Sequence, residues 1–306
     1  MAMPNTNSLI DLLVSIRSPD KELGQHYLHD DSVLEKAVEL GGVSEGDVVL
    51  EIGSGPGTLT AHILKTGAAV HAIEIDPESC SHLEHVFQTE INEGKLTLTH
   101  GDVLEVELPS QFTHVIANIP YQISSPLIEK LLNRHRSGRQ IETIVLLLQD
   151  EFASRLAMLD GPASHGPLGI TTAFEWEVYA DQIVHSHSFK PAPKVNSRLV
   201  KMVPRENPHE LPSNIQMPSL KLARMVVREC FQERRKKMRN RLTQIPKRIA
   251  RAKGWYAKSY RAAAKSVIRQ EDLSGLPTGW AEARPEQFGV VDWLILVSHL
   301  EAQKEG

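Results

Sequence analysis

Asp47-Val48-Val49-Leu50-Glu51-Ile52-Gly53-Ser54-Gly55-Pro56-Gly57-Thr58-Leu59-Thr60 decides the fold of this chain. A strand-length apolar run ends in three alternating glycines, and a helix-compatible stretch, residues 58–66, follows at once. Glycine there lets the backbone turn sharply and approach a ligand closely. The spacing G-x-G-x-G is neither the G-x-G-x-x-G of dinucleotide folds nor the G-x-x-x-x-G-K-[ST] of a phosphate loop. The loop holds no lysine, and Glu51 just before it would repel a pyrophosphate. A cationic, amino-acid-like ligand fits better.

Outward from this loop, residues 69–75, 96–99, 114–117 and 141–148 read as further strands. The last is the most apolar and so belongs at the centre of a sheet covered on both faces. Residues 31–40, 77–91, 124–134 and 150–159 read as helices. The alternation predicts an α/β fold, a mostly parallel sheet with helices on both faces. Residues 170–179 and 198–203 are β-rich with no evident helix between them, which predicts an antiparallel addition at one edge. Pro204, Pro208, Pro212 and Pro218 then mark a linker. Beyond it, residues 220–231, 234–243, 257–268 and 285–300 all read as helices. The expected division is an N-terminal extension (1–20), an α/β domain (21–204), a Pro-rich linker (205–218) and a small helical domain (219–306).

In a parallel sheet the carboxyl ends of the strands line one crevice. Gly53, Glu74, Asp102 and Asn118 stand at four successive strand ends and converge there without being near in sequence. Glu74 suits the hydroxyls of a ribose, and Asp102 an adenine amino group. Asn118-Ile119-Pro120-Tyr121 is the sharpest feature of the chain. An exocyclic adenine nitrogen is a poor nucleophile because its lone pair is delocalised into the ring. To attack a methyl sulfonium it must become tetrahedral, which needs an acceptor for each of its two hydrogens. The Asn118 side-chain oxygen is one such acceptor, and the Pro120 carbonyl, stiffened by its ring, is the other. Tyr121 is placed to stack on the base.

Length and composition set the frame. The 306 residues are 41% hydrophobic and 24% charged, ordinary for a folded protein and against wholesale disorder. No apolar run reaches the roughly 20 residues of a membrane span. Residues 9–16 read as a short amphipathic helix rather than a signal peptide. Two cysteines, Cys80 and Cys230, give no disulfide framework and point to a reducing compartment. The fourteen histidines form no ligand pattern, so no metal is expected. The net charge of −4 hides an asymmetry: residues 221–270 hold 17 Lys/Arg against two acids. Such a basic block is a solvated helical face or a polyanion site.

Together these stretches resemble the KsgA/RsmA family of small-subunit rRNA adenine N6,N6-dimethyltransferases, from Lys21 onward. Leu23-Gly24-Gln25-His26-Tyr27-Leu28 resembles the family's N-terminal cofactor motif, residues 50–60 its glycine loop and Glu74-Ile75-Asp76 its ribose-binding acid. Gly101-Asp102 resembles the adenine-binding motif, and residues 118–126 (NIPYQISSP) the catalytic motif. Residues 149–156 (QDEFASRL), 189–195 (FKPAPKV) and 231–240 (FQERRKKMRN) resemble three further family segments. His26, Gln122 and Ser125 resemble the archaeal and eukaryotic branch more than the bacterial one.

The resemblance implies a Rossmann-like S-adenosylmethionine methyltransferase sheet, mostly parallel with an antiparallel last strand, plus a small C-terminal helical domain. It implies that His26, Leu28, Gly53, Glu74, Asp102 and Asn118 hold S-adenosylmethionine. Asn118, Pro120, Tyr121 and Phe189 would hold and activate the base, Phe189 forming the wall opposite Tyr121. The reaction implied is N6,N6-dimethylation of two adjacent adenines near the 3′ end of small-subunit rRNA, in a pre-ribosomal particle. The enzyme would be cytoplasmic and monomeric, with neither metal nor membrane. The basic residues Arg234, Arg235, Lys236, Lys237, Arg239 and Arg241 are expected to contact RNA, mostly at phosphates. On one continuous helix, Arg234, Lys237 and Arg241 would share a face, and Arg235 and Arg239 another. Residues 251–261 mix basic and aromatic side chains, as a half-buried helix or an RNA-gripping segment does. The rivals are an Erm-like large-subunit rRNA methyltransferase and a non-catalytic assembly factor on the same fold.

Overall fold

Four neighbouring parallel strands, each short and followed or ended by a polar or glycine residue, carry the site. In the computed structural model, which describes residues 4–270 and 272–304, the chain forms two compact units. One runs to Ala153 and resumes over Val178–Pro204. The other comprises Ser154–Glu177 and the chain from Arg205 on.

The first unit opens with α1 (Thr6–Ile16), β1 (Tyr27–Leu28) and α2 (Asp31–Gly41). The sheet strands and their helices follow: β2 (Val48–Ile52), α3 (Thr58–Leu64), β3 (Ala69–Glu74), α4 (Pro77–Val86), α5 (Gln88–Asn92) and β4 (Leu96–His100). Next come β5 (His114–Asn118), α6 (Ser124–Arg136), β6 (Thr143–Gln149) and α7 (Asp150–Leu156). After α8 (Pro167–Ala173) the chain makes β7 (Trp176–Val184), β8 (Phe189–Lys190) and β9 (Ser197–Pro204). The seven-stranded order is β4-β3-β2-β5-β6-β9-β7. Strands β2 to β6 pair in parallel and β9 joins β6 antiparallel. The central position of β6 follows from its composition, since six of its seven residues are buried.

Strand β1 pairs antiparallel with β8, Leu28 opposite Phe189 and Tyr27 opposite Lys190. This small ladder ties two segments about 160 residues apart in sequence, which no local pattern announces. Helix α1 is part of the unit's packing: Leu9, Ile10 and Leu13 are buried, Asn5 caps its N-terminus, and the Thr6 hydroxyl donates to Asp31. The region read as one helix over 77–91 breaks at Phe87, whose ring is buried. A Cβ on Gly57 would lie 2.4 Å from that ring, so the last glycine of the loop makes room for it.

In the second unit, α9 (Leu220–Phe231), α10 (Met238–Arg241), α11 (Ala257–Ile268) and α12 (Val290–Ala302) surround a core holding Trp255, Tyr260, Trp280 and Trp293. Helix α8 contributes Ile170, and Phe174 just beyond it packs in the same core. Two expectations need correction here. Residues 170–179 are not one β segment, because α8 runs to Ala173 and β7 starts at Trp176. Pro167 at the first helical position was the available signal. Residues 234–243 are not one helix: 232–236 form turns, Lys237 is extended (φ −66, ψ 150), and only Met238–Arg241 is helical. The cause is non-local, since the Met238 N–H donates to the Ala283 carbonyl at 2.8 Å. The shared-face argument for the basic residues therefore does not hold. The segment read as a linker makes contacts within this unit: the Arg205 N–H donates to the Glu175 carbonyl (2.8 Å), and His209 Nε2 lies 2.6 Å from the Ala173 carbonyl.

Candidate active site

The carboxyl ends of β2, β3, β4 and β5 open on a cleft of about 370 Å³, the size of a small-molecule site. His26, Leu28, Gly53, Glu74, Asp102, Asn118, Pro120, Tyr121 and Phe189 all line it. Topology brings them together: the strand ends supply four, the turn after β5 supplies Pro120 and Tyr121, and the β1–β8 ladder supplies Leu28 and Phe189.

Gly53, Gly55 and Gly57 all have positive φ (72°, 50° and 83°), a conformation that other residues adopt at a cost. The nearest atom to a Cβ on Gly53 would be the Asn118 carbonyl oxygen at 3.7 Å, so its face toward the cleft is open. A Cβ on Gly55 would meet the Tyr27 ring at 3.2 Å. Glu51 lies behind the loop, not in the cleft. It is buried, accepts a 2.6 Å hydrogen bond from the Thr60 hydroxyl, and burial pushes its carboxyl up to about 7. Its sequence role as a repellent of phosphate therefore gives way to a structural one.

Glu74 organises the loop from β3. Its Oε2 accepts from the Gly55 N–H (2.8 Å), and Oε1 from the Ile75 and Asp76 N–H groups (2.8 and 2.9 Å). Burial raises its pKa, and these three donors oppose the rise. Three of about four lone-pair positions are engaged, which leaves one for a ligand hydroxyl rather than two. Asp102 follows β4, and its Oδ1 accepts from the Leu104 N–H (2.8 Å). Ile75, 44% exposed, stands in the same cleft wall and offers an apolar face beside that acid.

Asn118 ends β5. Its Nδ2 donates to the His26 carbonyl at 3.1 Å, which turns Oδ1 the other way and keeps it as an acceptor. His26 is itself fixed by Nδ1, 2.7 Å from the Pro191 carbonyl. The Pro120 carbonyl accepts one long bond, from the Ile123 N–H at 3.2 Å, and retains a second lone pair. Tyr121 is half-buried, and its hydroxyl pairs with Ser197 Oγ at 2.8 Å, which fixes the ring. Burial raises its pKa and the Ser197 bond opposes this.

Several supporting residues were not legible in the sequence. Arg17 Nη1 donates to Asp76 Oδ1 (2.7 Å) and Glu78 (2.5 Å), and Nη2 to Asp20 (2.8 Å). Gln25 links the Tyr27 hydroxyl (2.9 Å) to Asp76 (3.4 Å). Lys130 of α6 donates to the Val103 and Val106 carbonyls (2.7 and 2.6 Å), tying down the loop that holds Asp102. Burial lowers the Lys130 pKa, and Asp102 opposes the fall. The Lys130 partners are backbone carbonyls and Asp76 lies more than 50 residues from Arg17 and Gln25, so these contacts leave no motif. His185 and His187 stack on one another, centroids 5.5 Å apart, and are not among the cleft-lining residues. Both cysteines are free and buried.

The basic motif lies in the second unit. Arg241 is 4% exposed and is tied to Glu233 and to Glu229 (3.2 Å), so it is corrected from an RNA contact to an internal tie. Arg234 pairs with Glu286 (2.7 Å), Lys236 with Glu233 (2.8 Å), Lys237 with Glu282 (2.6 Å) and Arg239 with Glu282. Arg235 is exposed. Among the described residues no group of three or more His, Cys, Asp or Glu is placed to hold a metal ion. No described helix is long and apolar enough to cross a membrane.

A parallel sheet with a glycine loop after its first strand β2, an acid ending the next strand and one antiparallel partner to β6 is the Rossmann-like methyltransferase fold. The family described as ribosomal RNA adenine dimethylase matches residues 17–257, and the chain belongs to it. It is 35% identical over 261 residues to the ribosomal RNA small subunit methyltransferase A of Gloeobacter violaceus, covering 83% of this chain and 89% of that one. It is 39% identical over 222 residues to the "Probable ribosomal RNA small subunit methyltransferase A" of Natronomonas pharaonis, covering 72% and 76%. A solved dimethyladenosine transferase from Plasmodium falciparum is similar with a TM-score of 0.66 and 26% identity, over 90% of this chain and 97% of that one. The 23S rRNA methyltransferase ErmE shares the fold, with a TM-score of 0.60 and 24% identity over 90% and 99%. The chain is thus an S-adenosylmethionine-dependent rRNA adenine dimethyltransferase.

Proposed function

We propose that the chain converts two adjacent adenines near the 3′ end of small-subunit rRNA to N6,N6-dimethyladenosine, acting as a cytoplasmic monomer on a pre-ribosomal particle. The observation that carries the chemistry is the anchored Asn118 amide, with Nδ2 on the His26 carbonyl and Oδ1 left as an acceptor. The substrate assignment is supported by relatives named small subunit methyltransferase A, 33–39% identical to this chain.

The residues present fit the cofactor. The cleft joins an open glycine loop, an acid with one remaining acceptor position, and an apolar wall beside a second acid. S-adenosylmethionine, when bound, supplies an electrophilic methyl group. In this reading Glu74 takes a ribose hydroxyl and Asp102 the cofactor's amino group. His26, Leu28, Gly53 and Asn118 complete the enclosure. Tyr121 and Phe189 hold the target base. Asn118 Oδ1 and the Pro120 carbonyl accept the two hydrogens of the exocyclic amine, which draws its lone pair out of conjugation and toward the methyl donor. No side chain has to change its protonation state before the attack. The experiment is methyl transfer from labelled S-adenosylmethionine to unmethylated small subunits, with large subunits and free DNA alongside and nucleosides read by mass spectrometry. N6,N6-dimethyladenosine on small-subunit rRNA alone is the expected result. Label on large subunits would move the substrate to the Erm-like class, and no label anywhere would favour a binding role.

A further inference from the structure

The positive charge of the second unit is unevenly committed. Five of the six basic side chains of the 234–241 stretch are ion-paired to Glu229, Glu233, Glu282 or Glu286 within the unit. Residues 247–269, by contrast, carry eight Lys/Arg and no Asp or Glu. All eight are exposed, and none forms an ion pair with a described residue.

We propose that residues 247–269 form the phosphate-gripping surface for folded rRNA, and that most of the 234–241 charges serve as internal ties. This rests on the reading of the chain as an rRNA methyltransferase. On α11, Tyr260, Ala263, Ala264 and Val267 are buried in the core. Lys258, Arg261, Lys265 and Arg269 recur every three or four residues and are exposed, so they form one stripe down the opposite side. Successive charges stand about one 5.4 Å turn apart. Ahead of the helix, Lys247, Arg248, Arg251 and Lys253 surround a single 3-10 turn, Ile249–Arg251. Arg248 is held there at φ 62°, a left-handed conformation that an arginine adopts only under constraint. Between the two groups stands Tyr256, 67% exposed, beside Trp255, which is buried in the core. An exposed ring set among cations that pair with no described acid is the combination that stacks on an unpaired base while the backbone phosphates are held. A lipid surface is the poorer match, because the apolar side of α11 faces the core and the stripe is flanked by Ala257, Ser259 and Ala262.

The test uses the full chain and a labelled hairpin RNA with a 16-bp stem and an unpaired loop. Binding is measured by anisotropy from 50 to 200 mM KCl. In Lys258→Gln/Arg261→Gln/Lys265→Gln/Arg269→Gln, the slope of log affinity against log salt should fall by about 3, at roughly 0.7–0.9 per lost phosphate contact. Arg234→Gln/Arg239→Gln should change the slope by less than about 1. Tyr256→Ala should weaken binding without changing the slope. Circular dichroism and calorimetric binding of S-adenosylhomocysteine, both as in the parent, establish that each variant is folded. An unchanged slope in the quadruple variant, or a larger loss in the Arg234/Arg239 variant, overturns the proposal. If the parent methylates small subunits while the quadruple variant binds RNA normally, the surface assignment fails alone. If the quadruple variant shows the predicted slope but the parent methylates no rRNA, the surface stands and the functional reading fails.

Discussion

At the residue scale, two side chains carry the strongest expectations. Asn118→Ala should lower methyl transfer by about 10²–10³, the usual cost of removing one preorganised partner of a developing charge. S-adenosylhomocysteine binding by calorimetry should change far less, because Glu74 and the glycine loop keep their own hydrogen bonds. A variant that retains most of its turnover rules out the acceptor role. Glu51 makes a pH prediction. Its carboxyl is pushed up to about 7 in the folded chain by burial, with Glu74 adding to the rise, against about 4.3 in the unfolded chain. The folded state therefore holds the proton more tightly. The stabilisation this gives is fully present below about pH 4 and is lost as the pH climbs through 7, about 4 kcal/mol in all at 1.36 kcal/mol per pH unit. Glu51→Gln keeps an oxygen for Thr60 and removes the titration. Denaturant midpoints of parent and variant should diverge between pH 5 and 8 in favour of the variant, and parallel curves would contradict this.

At the scale of elements, the ribbon from α1 to β1 is the part of the cleft that depends most on distant partners. Arg17 reaches Asp76, the N-cap of α4, immediately after the turn whose N–H groups grip Glu74. Arg17→Ala should raise the dissociation constant for S-adenosylhomocysteine by at most about fivefold, because the buried Asp76 carboxylate keeps its hydrogen bonds from the Ser79 N–H and hydroxyl. A loss beyond tenfold would mean that the whole 17–28 ribbon detaches. The same scale shows what the sequence made legible. Strands such as Val48–Ile52 and Ala69–Glu74 lie within a residue or so of their apolar runs, because burial alone decides them. Gly53, Glu74, Asp102 and Asn118 were legible because strand ends converge whatever the loops do, whereas His26, Leu28 and Phe189 came only from the family resemblance. Lys237 was not, because its extended backbone is set by Ala283 and by acids about 45 residues away. The β1–β8 ladder was equally silent, two residues on each side with nothing but tertiary context to pair them.

At the scale of the whole molecule, Pro204 looks like a place to cut and is not one. Ser154–Glu177 belongs to the second unit, where Ile170 and Phe174 pack in one core with Leu222 and Val226. A fragment comprising residues 1–204 should therefore expose that apolar face, bind a hydrophobic dye strongly and aggregate where the full chain does not. A soluble, dye-silent fragment would show that the 154–177 segment finds other cover. The division has a further consequence for how the polypeptide is made. Translation adds roughly 5–20 residues per second, and α8 ends 47 residues before α9 begins. For about 2–10 s at those rates, α8 has left the peptidyl-transferase centre before its core partner has been synthesised, while β7, β8 and β9 are still being added to the first unit. The nascent chain thus carries an apolar helix whose covering partners, Leu222 and Val226, are still untranslated.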